Sequence, residues 1–271
     1  MPKNVVVVGM PRTGTSLVAG IFGRKGYFTA DDPTAALRTG DQHNPGGYWE
    51  AETLTRMNAE VFAAAGYAED TSWLGAPMSS EAAARIGELA PVQAHRELIA
   101  TYEAHAPWLW KDPRLCYTLE YWWPLLPTEG TRVLLTRRDP EAIWQSFVRL
   151  HWREPTPEAR ADVMERIERH LGAAKDAITR LAIPHLEVRY EDFAADPVSM
   201  AAALSDFLDV ELGAEDLSFS TKLDHSRLRG RIATYVEHRY ERLPPGLRRA
   251  AKRLVPRTLL RALFPERRTL K

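Results

Sequence analysis

The amino-acid sequence predicts an α/β fold, a central parallel sheet flanked by helices. Two observations carry that expectation. Four short apolar runs recur along the chain, around Val5–Val8, Trp108–Trp110, Val133–Leu135 and Leu186–Val188. The first does not alternate, as a strand buried on both faces should not. Between these runs lie stretches of helical periodicity, and strands separated by helices imply parallel neighbours.

Each element follows in order. The Val5–Val8 strand ends at Gly9, and after a turn Leu17, Val18, Ile21 and Phe22 recur at helical spacing, with Gly26 closing the helix. Residues 29–50 are rich in Gly, Pro, Asp and Asn and read as a loop. A helix is expected over Glu52–Ala65. A longer helical region runs from a Ser80 cap to about His105, broken at Pro91. Pro140 takes a first-turn position with Asp139 as its cap, and Thr156-Pro157 repeats that signal for a helix to about Leu181. With no repeat, low-complexity segment or clear linker, residues 1–271 read as a single domain with a basic helical extension at about 242–271.

Composition narrows the class. The 271 residues are 45% hydrophobic and 27% charged, which excludes collagen-like, coiled-coil and wholly disordered chains. Cys116 is the one cysteine, so no intrachain disulfide forms, and a lone thiol fits a reducing, cytoplasmic setting. The Val5–Val8 run is far too short to span a bilayer. Glycines and Arg12 interrupt the stretch where a signal peptide would place its apolar region. The 36 basic and 36 acidic residues balance, but ten basic and one acidic fall in 242–271. A tail at net +9 therefore sits beside a body at net −9, and the balance does not point to nucleic acid. Leu247 through Phe264 mixes leucines with arginines at helical spacing. That suits a weak contact with an anionic membrane surface, attraction of an acidic acceptor or, as the preferred reading, a solvated helix packed on the body; Pro256 weakens the first.

The strongest local signal is Gly9-Met10-Pro11-Arg12-Thr13-Gly14-Thr15-Ser16, between the first strand and the first helix. Glycines permit a tight turn, and a helix start presents N–H groups and a dipole that favour an anion. The spacing matches the P-loop pattern G-x-x-x-x-G-K-[ST], except that Thr15 occupies the lysine position. Hydroxyls in place of lysine, with Arg12 moved back into the loop, suit a smaller anion without a metal. An ATP- and Mg²⁺-dependent phosphotransferase is the rival reading, and a non-catalytic nucleotide-binding module is another. The eight histidines show no zinc spacing, and no metal is expected.

Pro11-Arg12-Thr13-Gly14-Thr15-Ser16-Leu17 resembles the 5′-phosphosulfate loop of the bacterial sulfotransferases that use 3′-phosphoadenylyl sulfate (PAPS). Three further segments resemble that family, in the same order along the chain. Thr136 through Ser146 is similar to the 3′-phosphate segment, with Arg138 and Ser146 at the family spacing. Trp110-Lys111-Asp112-Pro113-Arg114 resembles its KDPR segment, and Arg189-Tyr190-Glu191-Asp192-Phe193 its YED segment. Asn44-Pro45-Gly46-Gly47-Tyr48-Trp49-Glu50 is similar to N-P-x-G-[FY]-W-E of bacterial members. The chain departs from the family at Leu17, where many animal members place a tryptophan, and in having only Arg229-Gly230 as an echo of R-K-G.

The resemblance implies a P-loop-type fold and transfer of a sulfuryl group from PAPS to a hydroxyl, or less readily an amine, of a small-molecule, lipid or saccharide acceptor. Adenosine 3′,5′-bisphosphate is the product. It implies that Pro11, Arg12, Thr13, Gly14, Thr15 and Ser16 hold the 5′-phosphosulfate, Arg138 and Ser146 the 3′-phosphate, and Tyr190 the adenine. Lys111 and Arg12 would neutralise developing charge. Asp112 and Arg114 read as a local ion pair fixing the turn. A base must take the acceptor's proton. Glu50 is the first candidate, with Tyr48 and Trp49 beside it, and His43 the second.

Overall fold

The computed structural model describes residues 1–30, 37, 44, 46–67 and 71–217. The expected extension at 242–271 and His43 lie outside these residues. The described residues fall into two compact units. One holds Met1–Asp139 and the chain from Asp162 onward, and the other holds Pro140–Ala161.

The first unit is built on four parallel strands: β1 (Asn4–Val8), β2 (Leu109–Lys111), β3 (Thr131–Arg137) and β4 (His185–Arg189), in the order β2-β1-β3-β4. Val5 through Val8 are fully buried, as the unbroken β-branched run requires. Val6 and Val8 point to one core with Val133 and Leu135. That core is covered by α2 (Glu52–Ala64), α3 (Ser80–Glu88), α4 (Gln93–Glu103), α5 (Leu115–Trp122) and the later turns of α7 (Pro157–Arg180). Val5 and Val7 point the other way with Leu109, Leu134 and Val188. There α1 (Thr15–Arg24), α8 (Asp192–Ala195) and α9 (Pro197–Leu208) cover them.

The chain leaves β1 for β2 on one side and later crosses to β3 on the other. The carboxyl end of β1 is therefore a topological switch point, where open α/β sheets bind ligands.

Several expectations shift by a residue for local reasons. Ser79 rather than Ser80 caps α3, its side chain accepting from the Ala82 N–H at 3.1 Å. The β2 strand starts at Leu109, because Trp108 pairs instead with Phe28 in an isolated bridge. Pro91 lies in the break between α3 and α4. Sequence periodicity gave no sign of α5, because its Leu115, Cys116, Tyr117, Thr118, Leu119, Tyr121 and Trp122 are all buried and leave no polar face to alternate with.

The second unit contains α6 (Pro140–Arg149), followed by a turn and the start of α7. Thr156 caps that start by accepting from the Ala159 N–H at 3.2 Å. Among the described residues no helix is long and apolar enough to cross a membrane.

In the first unit, buried His170 of α7 accepts at Nε2 from the Ser72 hydroxyl across 2.7 Å, while Nδ1 donates to the Arg166 carbonyl at 2.7 Å. Those roles make the native imidazole neutral, and burial depresses its pKa to about 4. The unfolded chain takes up this proton near its ordinary pKa of 6.5, and the native protein does so only near 4. Stability from this residue is thus complete above pH 6.5 and falls as pH drops toward 4. The expected loss over that window is about 3 kcal/mol. Urea unfolding at pH 7 and pH 4.5 checks this. His170→Gln should flatten most of the difference, and His95, depressed in the same direction by burial, should account for part of what remains.

Candidate active site

The reversal from β1 to α1 is made by Gly9 through Gly14. Two of its residues take a left-handed backbone, Gly14 at φ 100° and Arg12 at φ 75°. For arginine that conformation costs about 1 kcal/mol or more, and such strain concentrates at functional loops. No side chain caps α1. Its first-turn N–H groups have no intrahelical acceptor, and its dipole favours negative charge at the loop.

The loop is tied to the sheet from below. The Thr13 hydroxyl donates to the Met10 carbonyl at 2.7 Å and lies 2.7 Å from the Thr136 hydroxyl of β3. A side chain at Gly9 would overlap that Thr136 hydroxyl, which explains the glycine. Pro11, Thr13 and Thr15 are buried; Arg12 and Ser16 are half-buried.

Arg138, just beyond β3, reaches this loop. Its Nη1 donates to the Arg12 carbonyl at 3.3 Å, and its guanidinium carbon lies 4.0 Å from the centroid of the Tyr190 ring. Tyr190 is placed by its own N–H, which donates to the Arg137 carbonyl at 2.8 Å. A Cβ on Gly14 would come 2.7 Å from Tyr190 Cδ2. Arg12, Gly14, Arg138 and Tyr190 therefore form one cluster at the ends of β1, β3 and β4. Ser146 belongs to α6 in the second unit, where it is buried and accepts from Arg149 Nη2 at 3.4 Å.

On the other side of β1, Lys111 ends β2 in register with Val7. It forms an ion pair and hydrogen bond with the Glu50 carboxylate, and both side chains are buried. A tight turn delivers Glu50. The Asn44 side-chain amide donates to the Gly47 carbonyl at 2.7 Å, and the Trp49 indole N–H to the Gly46 carbonyl at 3.0 Å. The Trp49 ring rests on Gly20 and Gly23 of α1, where a larger residue would overlap it. Trp49 is thus a packing residue holding the segment that carries Glu50.

Asp112 and Arg114 form the expected ion pair, with Arg114 Nη1 3.0 Å from Asp112 Oδ2. The Arg114 backbone N–H also donates to Asp112, at 2.8 Å. Asp112 is fully buried and accepts from the Thr55 hydroxyl at 2.7 Å. Thr55 stands in the first turn of α2, its N–H bonded to the Ala51 carbonyl. One carboxylate therefore ties the turn carrying Lys111 to the helix that begins just after Glu50.

Residues 2–214 match the model of the sulfotransferase family. The chain belongs to that family. Among solved structures this sulfotransferase is similar to STF9 of Mycobacterium avium, at 16% identity and TM-score 0.44 over 98% of this chain and 76% of that one. It is also similar to STF1 of Mycobacterium tuberculosis, at 15% identity and TM-score 0.41 over 88% and 77%. No curated protein gives a significant match.

Two residues of the candidate site were not singled out in the sequence. Thr136 supports the glycine loop from a neighbouring strand, and Thr55 supports Asp112 from a helix. The first opens the segment that resembles the family's 3′-phosphate segment, and that position was its signal. Nothing local marked the second, because its partner is 57 residues away. Replacing Thr55 by Val removes the donor to a buried carboxylate, so the variant should unfold about 2 kcal/mol more easily in denaturant titrations. Thr55→Ser should recover most of that loss.

Proposed function

We propose that this sulfotransferase moves the sulfuryl group of PAPS to a hydroxyl of a small-molecule, lipid or saccharide acceptor, in the cytoplasm and without a metal. The observation that carries the reading is the buried Lys111–Glu50 pair, one strand across from a glycine loop whose helix has no side-chain cap. The residues fit the donor. The α1 N–H groups, the Thr15 and Ser16 hydroxyls and Arg12 suit its 5′-phosphosulfate, and Arg138 its 3′-phosphate; the family resemblance adds Ser146 to the latter. Thr13 contributes by holding the loop, since its hydroxyl is engaged with Met10 and Thr136.

The donor, when bound, supplies an activated sulfuryl group and leaves as adenosine 3′,5′-bisphosphate. Glu50 takes the acceptor's hydroxyl proton as the new O–S bond forms. Lys111 and Arg12 neutralise the negative charge that gathers on the bridging oxygen as the old S–O bond breaks. The two events are linked through the ion pair. As Lys111 turns its charge toward the leaving oxygen, its hold on Glu50 weakens, and Glu50 becomes available as a base. His43 remains the second candidate for that role.

Calorimetry in Mg²⁺-free buffer should show binding of adenosine 3′,5′-bisphosphate, whereas ATP binding that requires Mg²⁺ would speak for a phosphotransferase. A screen of hydroxyl compounds with labelled PAPS identifies an acceptor. With that acceptor, Glu50→Gln should lower kcat about a hundredfold or more and leave bisphosphate affinity within about threefold. Unchanged turnover in Glu50→Gln removes Glu50 from the mechanism.

A further inference from the structure

The residues around Arg138 allow a sharper statement about how the 3′-phosphate is selected, resting on the PAPS reading above. The family resemblance assigns Tyr190 to the adenine. In the structure a face of its ring is covered by the Arg138 guanidinium, 4.0 Å from the ring centroid. Its Cδ2 edge meets Gly14, where a Cβ would come within 2.7 Å. The half-buried ring thus meets two parts of the proposed phosphate-binding machinery, Arg138 on one face and Gly14 at one edge.

We infer that Tyr190 is a positioning residue: it braces Arg138 and so sets the preference for a 3′-phosphorylated nucleotide, instead of serving as a platform for the base. An aromatic face attracts a guanidinium lying over it, which holds the Arg138 group in one place beside the glycine loop. Arg138 held in this way keeps the donor geometry that a phosphate requires. A second tether fixes its position along the chain, the 3.3 Å hydrogen bond from Nη1 to the Arg12 carbonyl. That carbonyl belongs to Arg12, the non-glycine residue of the loop with a left-handed backbone. Only the aromatic ring is needed for the brace, so the hydroxyl is dispensable.

The test compares two ligands on the full chain in Mg²⁺-free buffer, adenosine 3′,5′-bisphosphate and adenosine 5′-monophosphate. The wild type should prefer the bisphosphate by about tenfold or more, the worth of one charge-assisted phosphate contact. Tyr190→Leu should reduce that preference about fivefold or more, through weaker bisphosphate binding with monophosphate affinity unchanged. Tyr190→Phe should keep the preference. In an Arg138→Ala background, Tyr190→Leu should change nothing further. Should the leucine variant fold poorly by thermal melting, Tyr190→Met, of leucine's size but unbranched and more adaptable in packing, reads the same quantity. Equal weakening of both ligands would mean that the ring contacts the base and would overturn the inference, as would an unchanged preference in Tyr190→Leu. A wild type with no preference at all would instead sink the PAPS reading, and this inference with it.

Discussion

A buried ammonium against a buried carboxylate is the constraint around which this site is arranged. Lys111 and Glu50 are 3% and 6% exposed, and Asp112 and Arg114, next along the chain, are 0% and 6%. Two ion pairs thus lie out of water at one end of the sheet. Desolvating each charge costs several kcal/mol, and mutual attraction repays this only with good geometry and further hydrogen bonds. Apolar residues of similar volume would serve stability at least as well. The concentration of balanced charge at a switch point is what a site for charged chemistry looks like, and the surrounding architecture keeps it in place.

That architecture reaches well beyond the charged groups. Asp112 accepts from Thr55 of α2, and Arg114 lies over the Trp73 ring at 5.2 Å. The segment carrying Trp73 is gripped in turn by α7, where Arg166 donates to the Ser72 carbonyl at 2.7 Å and His170 accepts from the Ser72 hydroxyl. The α7 residues buried for packing therefore support, through one loop, the turn that presents Lys111. On the opposite side of β1 the support is simpler. Parallel register sets β3 beside β1, Thr136 props the glycine loop, and β4 sets Tyr190 beside Arg138.

Much of the fold was legible because its signals are local. The unbroken valine run, the proline and threonine helix starts and the glycine loop each follow from a short stretch of backbone. The α5 helix was not legible, since burial on all sides erases the periodicity that marks a helix. Among site residues, the glycine loop stood out by residue type and spacing, whereas Lys111, Glu50, Arg138 and Tyr190 were singled out by a family likeness. Thr55 and Thr136 did not stand out, because a threonine's importance lies in what it touches.

The sequence by itself determined a parallel α/β sheet, an anion-friendly loop after its first strand and the types of residue available for catalysis. These depend on backbone preference and side-chain chemistry, which neighbours along the chain decide. The pairing of Lys111 with Glu50, the stacking of Arg138 on Tyr190 and the strut from Thr55 to Asp112 were decided only in three dimensions. They join residues 61, 52 and 57 positions apart, and strand order and helix packing bring such distant side chains within reach of one another.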